Sequence, residues 1–368
     1  ALDFVSCQWK INVVLSTNYL SKVLRPEVVI EIQTAQRQKV KMTVSVEKFA
    51  GGQSNPTYKL TASSGVYVLR CKPGPVSKLL PSAHAIEREF KVMRALAATP
   101  VPVPTMHVLC EDESVIGRAF YVMAFETGRV LWDQALPDLS RDDRSAIYWA
   151  MNHTLCALHT VDINRVGLQD YGRPGNYFER QINRWSKQYT ASVTTEIPAM
   201  DALMAWLPNN LPATALDPSL VSIVHGDYRL DNLIFHPAKN EVLAILDWEL
   251  STIGHPLADF SYHCMSWHIE PGDFRGIGGL DLDALGIPTE AEYIAKYCET
   301  TGFISPDQLT ADWPFYMAYN LFRLAAILQG IAKRVEAGTA SSEQARRSAA
   351  GARPLAALGW KFAQHYRN

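Results

Sequence analysis

The chain has 368 residues, a formal net charge of -2, and 48% hydrophobic and 20% charged residues. These proportions are those of an ordinary globular protein of two domains or two lobes, and they exclude disordered, collagen-like and disulfide-knot classes. The near-neutral charge argues against a protein whose main role is to bind nucleic acid or an anionic membrane surface.

Residues 43–126 have the pattern of an antiparallel sheet that carries one helix. Five strands are predicted, over residues 43–49, 58–62, 66–70, 105–110 and 118–125. Between the third and fourth strands, residues 83–98 have apolar side chains at helical spacing, and the proline-rich stretch 100–104 ends this helix. Residues 1–42 form an N-terminal extension whose pattern predicts no definite structure.

Residues 127–368 are predicted to be mostly helical. The helices are expected over residues 141–161, 177–189, 198–207, 289–301, 313–337 and 341–367. The exception is the segment 222–249, in which two short apolar runs flank polar loops. The residues with the clearest chemical pattern lie in this segment.

This segment contains the spacing H-x-D-x-x-x-x-N of kinase catalytic loops, formed by His225, Asp227 and Asn232. A hairpin is predicted directly afterwards, and its second strand ends at Asp247. Antiparallel pairing would bring Asn232 and Asp247 to the same open end, beside the loop that carries Asp227. Since carboxylate and amide oxygens bind the Mg²⁺ of a nucleotide, the pattern predicts phosphoryl transfer, with Asn232 and Asp247 on the metal and Asp227 as the base or the orienting group.

These residues resemble the aminoglycoside phosphotransferase and choline kinase superfamily, relatives of protein kinases. The resemblance lies in His225-Gly226-Asp227, in Asp247-Trp248-Glu249 and in the following G-x-P-x-x-D, which ends at Asp259. It implies an α+β, protein-kinase-like bilobal fold, with a five-stranded antiparallel sheet and one helix in an N-lobe (43–126) and a mostly helical C-lobe (127–368). Asp259 would then be an architectural carboxylate that steadies the catalytic loop.

The same resemblance implies that the N-lobe binds ATP. The turn after the first predicted strand, residues 51–55, would approach the phosphates of ATP. Arg70 would contact these phosphates where most relatives have lysine, and Glu89 would hold Arg70 in place. Lys72 is the alternative to Arg70, since it points to the same face of the strand. The residues assigned to the nucleotide are Gly51, Gly52, Ser54, Asn55, Arg70, Glu89, Met123 and Phe125, the last two in a hinge that would bind adenine through backbone groups.

The acceptor site is less clearly indicated. Tyr177, Arg180 and Arg184 share one face of a predicted helix, which is either an anion-binding face or a solvated surface. Arginines interleaved with aromatic residues suit an anionic acceptor better than a polycationic aminoglycoside. The candidate acceptor residues are Asp170, Tyr177, Arg180, Arg184 and Glu249.

The chain most resembles the kinase-like domains found alone or fused to acyl-CoA dehydrogenases, through residues 49–57 and 79–84. This resemblance implies a small molecule with a hydroxyl group, similar to a hydroxyacyl-CoA, as the acceptor. A second interpretation is a pseudokinase that binds nucleotide and serves as a regulatory or docking module, because Arg70 replaces lysine. The presence of Asp227, Asn232 and Asp247 together favours an enzyme.

Other polar residues are interpreted as structural. His263, Cys264 and His268 are expected in a core helix rather than around a metal, and His159 is expected to make a charge interaction at the end of a helix. The six cysteines are widely spaced and form no C-x-x-C pair, as expected for reduced thiols in a cytoplasmic protein. The sequence shows neither a secretory signal pattern nor an apolar stretch of ~18 residues.

Overall fold

The computed structural model describes residues 10–14, 27–33, 39–49, 55–73, 85–272, 276–338 and 343–366. Its contacts divide the chain into two compact units. Unit 1 comprises Ala1–Ala97 and Val103–Thr127, and unit 2 comprises Ala98–Pro102 and Gly128–Asn368. The predicted phosphate turn, with Gly51, Gly52 and Ser54, lies outside the described residues.

Unit 1 contains an antiparallel sheet and one helix. The strands are β1 (Lys10–Val14), β2 (Glu27–Gln33), β3 (Lys39–Lys48), β4 (Thr57–Ala62), β5 (Gly65–Cys71), β6 (Met106–Cys110) and β7 (Phe120–Ala124), and the helix is α1 (Ile86–Leu96). The order of the strands in the sheet is β1-β2-β3-β4-β5-β7-β6, and every pair is antiparallel. The five predicted strands are β3 to β7, so the antiparallel sheet with one helix is confirmed.

Two strands that were not predicted extend this sheet. β2 pairs with β3 over seven residues, from Glu27 opposite Ser45 to Gln33 opposite Lys39, and β1 pairs with β2. The pairing partner is what makes these short segments strands, because an isolated two-stranded ribbon is at best marginally stable in water. Both strands lie in residues 1–42, for which the sequence predicts no definite structure.

Helix α1 buries one apolar face and one charged side chain. Ile86, Val92 and Leu96 are fully buried, and the helix contacts β6 and β7. Glu89 lies on the buried side as well, with 1% of its surface exposed. Because burial of an unpaired carboxylate is costly, Glu89 must be held by donors from the sheet.

Unit 2 is mostly helical. Its helices are α2 (Arg141–His159), α3 (Tyr177–Ser192), α4 (Pro198–Trp206), α5 (Ala213–Leu216), α6 (Pro256–Cys264), α7 (Leu282–Leu285), α8 (Glu290–Thr301), α9 (Pro306–Glu336), α10 (Glu343–Ala350) and α11 (Ala352–His365). Its strands are β8 (Ser222–Val224), β9 (Leu233–Phe235), β10 (Val242–Ile245) and β11 (Thr252–Gly254). They form two antiparallel ribbons, β9–β10 and β8–β11.

The long helix α9 is the central element of unit 2. It contacts α3, α4, α6, α8, α10 and α11, and its buried side includes Phe315, Phe322 and Arg323. It begins seven residues before the predicted start at 313, because the side chain of Ser305 accepts the amide of Gln308 and Pro306 occupies the first turn. Pro314 lies inside the helix.

Two properties of the described residues bear on the predictions. Cys71, Cys110, Cys156, Cys264 and Cys298 are all free thiols. Within the part of the chain that the structure describes, no helix combines the length and apolarity needed to cross a bilayer.

Candidate active site

The loop between β8 and β9 carries the predicted catalytic residues. Its first two backbone amides are bound by one buried carboxylate: Asp259 of α6 accepts the amide of His225 at 2.6 Å and that of Gly226 at 2.9 Å. Asp259 follows Pro256 in the first turn of α6, so the position of the helix sets the position of the loop. The structure therefore brings the loop and the G-x-P-x-x-D segment together.

Glycine is required at position 226 for two reasons. The residue has a φ of +85°, a conformation that L side chains rarely adopt, and a Cβ there would lie 2.8 Å from the carbonyl oxygen of Leu250. The carbonyl of Gly226 accepts a hydrogen bond from Nη2 of Arg323 at 2.5 Å. The backbone immediately before Asp227 is thus fixed on both sides.

His225 is a scaffold of the loop. Its Nδ1 accepts the amide of Asp227 at 3.2 Å, and its Nε2 donates to the carbonyl of Leu246 at 2.8 Å. The ring also packs edge-on against Trp248, with centroids 4.8 Å apart. These contacts tie the loop to the end of β10.

The carboxylate of Asp227 is held at both oxygens. The hydroxyl of Tyr262 donates to Oδ1 at 2.6 Å, and the amide nitrogen of Asn232 donates to Oδ2 at 3.0 Å. Nε of Arg229 lies 3.3 Å from Oδ1. A carboxylate oriented in this way can accept a proton from a defined direction, which is what a general base or an orienting group requires.

Asn232 and Asp247 lie at the same end of the β9–β10 ribbon. Leu233 is paired with Ile245, and the amide of Leu246 donates to the carbonyl of Asn232 at 2.8 Å. The side-chain nitrogen of Asn232 is used on Asp227, which leaves its amide oxygen for a cation. This donor set of one carboxylate and one amide oxygen fits Mg²⁺, which takes one or two protein oxygens and completes its shell with phosphates and water.

The carboxylate of Asp259 is further held by a buried histidine. His159 lies 3.4 Å from Asp259 through Nε2 and 2.7 Å from the hydroxyl of Tyr297 through Nδ1. Burial alone would raise the pKa of Asp259, but the contacts with His159 and His225 outweigh it and the pKa lies below its usual range. The prediction that His159 lies at the end of a helix is confirmed, since it is the last residue of α2, and its side chain is completely buried.

The other histidines of α6 and its continuation are structural. Nε2 of His263 lies 2.9 Å from the hydroxyl of Tyr293, and Nε2 of His268 lies 2.7 Å from a carboxylate oxygen of Glu290. Among the described residues, no group of three or more His, Cys, Asp or Glu side chains is arranged to hold a metal ion. His263 and Cys264 belong to the core of unit 2, whereas His268 lies beyond the end of α6 and has 26% of its side chain exposed.

In unit 1, Glu89 is the centre of a buried polar cluster. Nε of Arg70 lies 3.1 Å from Oε2 of Glu89, to which the hydroxyl of Tyr121 also donates. The amide nitrogen of Asn55, one of the residues assigned to the nucleotide, donates to Oε1 of Glu89 at 2.8 Å. The cluster fixes the side chain of Arg70 on β5 beside Glu89.

The structure separates the two candidate cations. Arg70 pairs with a buried glutamate, and 13% of its side chain is exposed, whereas Lys72 pairs with Glu87 at 3.1 Å on the half-exposed surface. Because exposed ion pairs are weakly stabilising and exchange readily with solvent, the Arg70–Glu89 pair is the more rigid of the two.

The two predicted hinge residues lie at the end of β7. Met123 is buried opposite Val68 of β5, and the amide of Phe125 donates to the carbonyl of Val66 at 3.4 Å. The ring of Phe125 lies under Nζ of Lys59, 5.1 Å from its centroid.

The two arginines of the predicted acceptor face make different contacts. The guanidinium of Arg180 donates to the carbonyls of Gly175 and Arg173 and so holds the segment before α3. Arg184 is exposed and lies over the ring of Trp185 at 5.4 Å. Arg180 therefore has a structural role that competes with the predicted binding of an anion.

The remaining acceptor candidates lie in different surroundings. The ring of Tyr177 packs so closely on Gly254 that a Cβ there would lie 2.5 Å from it. Asp170 is exposed, and Glu249 lies in the short turn Trp248–Leu250 that follows Asp247.

Three residues beside Asp227 were not identified from the sequence. They are Arg229, Tyr262 and Arg323. Arg229 lies inside the recognised motif, and Arg323 is a charged residue within the apolar stretch of α9, which is a usable signal. Tyr262 has no local signal, since its contact with Asp227 joins residues 35 positions apart.

Comparison with known proteins agrees with this architecture. The family described as "Phosphotransferase enzyme family" matches residues 45–295, and the COMM domain family matches residues 3–50. A solved Ralstonia eutropha protein titled "putative aminoglycoside phosphotransferase" is 59% identical, with a TM-score of 0.81 over 88% of this chain and 94% of that one. A thermostable mutant of aminoglycoside phosphotransferase APH(4)-Ia, in complex with ADP and hygromycin B, shares the fold at 15% identity and a TM-score of 0.56 over 87% of this chain and 94% of that one.

Curated relatives are longer than this chain. Mouse acyl-CoA dehydrogenase family member 10 is 49% identical over 319 residues, which cover 86% of this chain and 29% of that protein. Human acyl-CoA dehydrogenase family member 11 is 42% identical over 323 residues, 88% of this chain and 40% of that protein. The protein-kinase-like fold is confirmed, and the chain belongs to the phosphotransferase enzyme family.

Proposed function

We propose that this chain transfers the γ-phosphoryl group of ATP to a hydroxyl group of a small molecule in a magnesium-dependent reaction. The observation that supports this most is the carboxylate of Asp227, which is held by Tyr262 and Asn232 beside the ribbon end that carries Asp247. A protein without catalytic activity would not need the oriented carboxylate of Asp227 together with the side-chain oxygens of Asn232 and Asp247, which are of the kind that binds Mg²⁺.

The residues of each unit are assigned separate tasks. In unit 1, Arg70 would contact the nucleotide phosphates, held by Glu89, and the end of β7 with Met123 and Phe125 would contact the base. In unit 2, the amide oxygen of Asn232 and the carboxylate of Asp247 would hold Mg²⁺, which neutralises phosphate charge when it is bound.

Asp227 would act on the acceptor. It hydrogen-bonds the acceptor hydroxyl and accepts its proton as the new oxygen–phosphorus bond forms and the bond to the departing ADP oxygen breaks. Little covalent chemistry is required of the protein, so the orientation of the Asp227 carboxylate is its main contribution.

The choice of acceptor class rests on one feature of α3 and on the relatives. Arg184 is exposed and lies over the ring of Trp185, and an arginine beside an aromatic ring suits an anionic acceptor better than a polycationic aminoglycoside. Since the curated relatives are acyl-CoA dehydrogenase family members, we propose a hydroxyacyl-CoA-like acceptor.

The test is Mg²⁺-dependent phosphorylation of candidate acceptors, read as the mass gain of one phosphate. A panel of hydroxyacyl-CoA esters is compared with hygromycin B as the cationic acceptor. The substitution Asp227→Asn should lower kcat by ~10² or more, because the carboxamide cannot accept the proton. Asp283→Asn, whose side chain is 97% exposed, is the control and should retain the parent rate.

Three results would contradict the proposal in different parts. Unchanged turnover in Asp227→Asn would remove the role of that residue. Phosphorylation of hygromycin B but of no hydroxyacyl-CoA would overturn the acceptor class. Tight binding of ATP with no transfer to any acceptor would favour the pseudokinase.

A further inference from the structure

Two buried residues from distant helices meet at the catalytic loop. Tyr262 lies in α6, and its hydroxyl donates to Oδ1 of Asp227 at 2.6 Å. Arg323 lies in α9 and donates to the carbonyl of Gly226 at 2.5 Å. Each side chain is 8% exposed, so both contacts are made largely out of water, where hydrogen bonds to charged groups are strong.

The two residues also contact each other. The guanidinium carbon of Arg323 lies 4.9 Å from the ring centroid of Tyr262 and 5.8 Å from that of Trp185. Arg323 thus donates to the Gly226 carbonyl while its guanidinium lies against these two rings. Arg323 therefore holds the Tyr262 ring and the loop backbone in one arrangement.

Tyr262 is always a hydrogen-bond donor in this arrangement. Burial and the neighbouring charge of Asp227 raise the pKa of its hydroxyl far above neutral pH, so the hydroxyl keeps its proton. A carboxylate rotates easily about its last bond, because that torsion has a broad, roughly two-fold profile. Among the residues that the structure describes, the remaining close partner of Oδ1 without Tyr262 would be Nε of Arg229, at 3.3 Å.

We propose that Tyr262, held in place by Arg323, is a positioning residue for Asp227 in phosphoryl transfer. It fixes the rotation of the carboxylate so that a free lone pair is directed at the acceptor hydroxyl. This inference rests on the proposed function, since it assigns Tyr262 a role in the step that Asp227 performs.

The first test is Tyr262→Phe, which removes only the hydroxyl. Loss of one hydrogen bond to a charged group corresponds to a decrease in kcat of roughly tenfold. The KM for ATP should stay the same, because the nucleotide contacts assigned to Arg70 lie in unit 1. Tyr148→Phe is the matched control: its buried hydroxyl donates to a backbone carbonyl of unit 2, that of Gln134 at 2.7 Å, and not to the Asp227 carboxylate, so its loss should leave kcat within about twofold.

The second test is a double-mutant cycle with Asp227→Asn. If Tyr262 acts through Asp227, Tyr262→Phe should have less than about a twofold effect on kcat in the Asp227→Asn background. Arg323→Lys should resemble Tyr262→Phe in lowering kcat, because lysine keeps the charge but loses the planar stacking surface. The decrease in kcat of the double variant Tyr262→Phe/Arg323→Lys should be smaller than the product of the decreases in the two single variants.

The outcomes separate this role from the proposed function. If the parent protein phosphorylates an acceptor and Tyr262→Phe does so at the parent rate, with only a lower melting temperature, Tyr262 is merely structural and the inference is wrong. Equal effects of Tyr262→Phe with and without Asp227 would overturn it as well. If the parent protein phosphorylates nothing, the proposed function fails first and the positioning role falls with it.

Discussion

Glu89 and Asp227 are carboxylates that depend on donors from distant parts of the chain. Glu89 takes Arg70, Tyr121 and Asn55, and Asp227 takes Tyr262 and Asn232. In both cases the carboxylate is held at two oxygens, which leaves little freedom to rotate. The rigidity of each site thus comes from neutral donors as much as from charge pairs.

The two cations of β5 should differ in their effect on nucleotide binding. Arg70→Met removes the charged partner of Glu89 and the cation proposed to contact phosphate, and we expect the KM for ATP to rise at least tenfold, because a hydrogen bond to a charged group contributes about 1.5–3 kcal/mol. Lys72→Met breaks only the half-exposed pair with Glu87, and the expected change is below about twofold. Steady-state kinetics on both variants measures this, and a larger effect at Lys72 would reverse the assignment.

What the sequence could predict at this scale depends on separation along the chain. Asp227, Asn232 and Asp247 were found because a loop and an adjacent hairpin carry all three, so their spacing alone indicated the geometry. Tyr262 and Arg323 contact the same loop across 35 and 97 positions. Such contacts are created by helix packing, which leaves no local pattern to read.

The start of helix α6 is fixed by the residue that precedes it. His255 precedes it, accepts the amide of Leu257 through Nδ1 at 3.2 Å and contacts the carbonyl of Thr214 through Nε2 at 2.9 Å. Nε2 must carry the proton in this arrangement, so the ring is neutral. Burial lowers the pKa of His255 to about 4, with the Thr214 contact opposing the change.

The stability of unit 2 should therefore fall on acidification. An unfolded histidine binds its proton near pH 6.5, but folded His255 does so only near pH 4. Between these values protons favour the unfolded state, at up to about 1.4 kcal/mol per pH unit. His255→Asn keeps an acceptor for Leu257 but does not titrate, so its free energy of unfolding should depend on pH less steeply, by close to one proton.

Urea denaturation at several pH values between 6.5 and 4.5 measures this difference. The variant should not become independent of pH, because buried His263 also has a pKa lowered to about 4 and remains in place. Parallel pH profiles for the parent and His255→Asn would show that His255 is not buried as a neutral ring.

Element boundaries were predictable where periodicity is long and local. Helices α2, α3 and α8 begin within one residue of the predicted start. The β8–β11 ribbon was not predicted, because each strand has three residues and the pairing joins Val224 to Thr252 across the intervening hairpin. Short strands of this kind exist only through their partners.

At the scale of the whole molecule, the two family matches meet within one strand. The phosphotransferase match begins at residue 45 and the COMM domain match ends at residue 50, and both points lie in or next to β3 (Lys39–Lys48). β3 pairs with β2 on one side and with β4 on the other. It is therefore the strand that joins the N-terminal extension to the sheet shared with the family.

Truncation at two points should distinguish the extension from the family fold. Removal of residues 1–38 keeps β3, and we expect phosphotransfer to stay within about twofold of the parent rate, with lower solubility because the β3 edge becomes exposed. Removal of residues 1–48 also removes the pairing of Ser45 with Thr61 through Lys48 with Tyr58, and nucleotide binding should be lost. Inactivity of the shorter truncation would show that β1 and β2 support the catalytic fold.

Position 247 has to satisfy two independent requirements, a left-handed backbone conformation and the carboxylate proposed to bind Mg²⁺. Its backbone has a φ of 62° and a ψ of 60°, a left-handed conformation that disfavours most side chains by about 1–2 kcal/mol and is accessible mainly to glycine, asparagine and aspartate. A selection that rewards only soluble expression should drift towards glycine at this position, whereas one that rewards turnover should return aspartate. The residue proposed to hold Mg²⁺ therefore has a strained backbone conformation, and stabilised variants obtained without a catalytic screen are expected to lose it first.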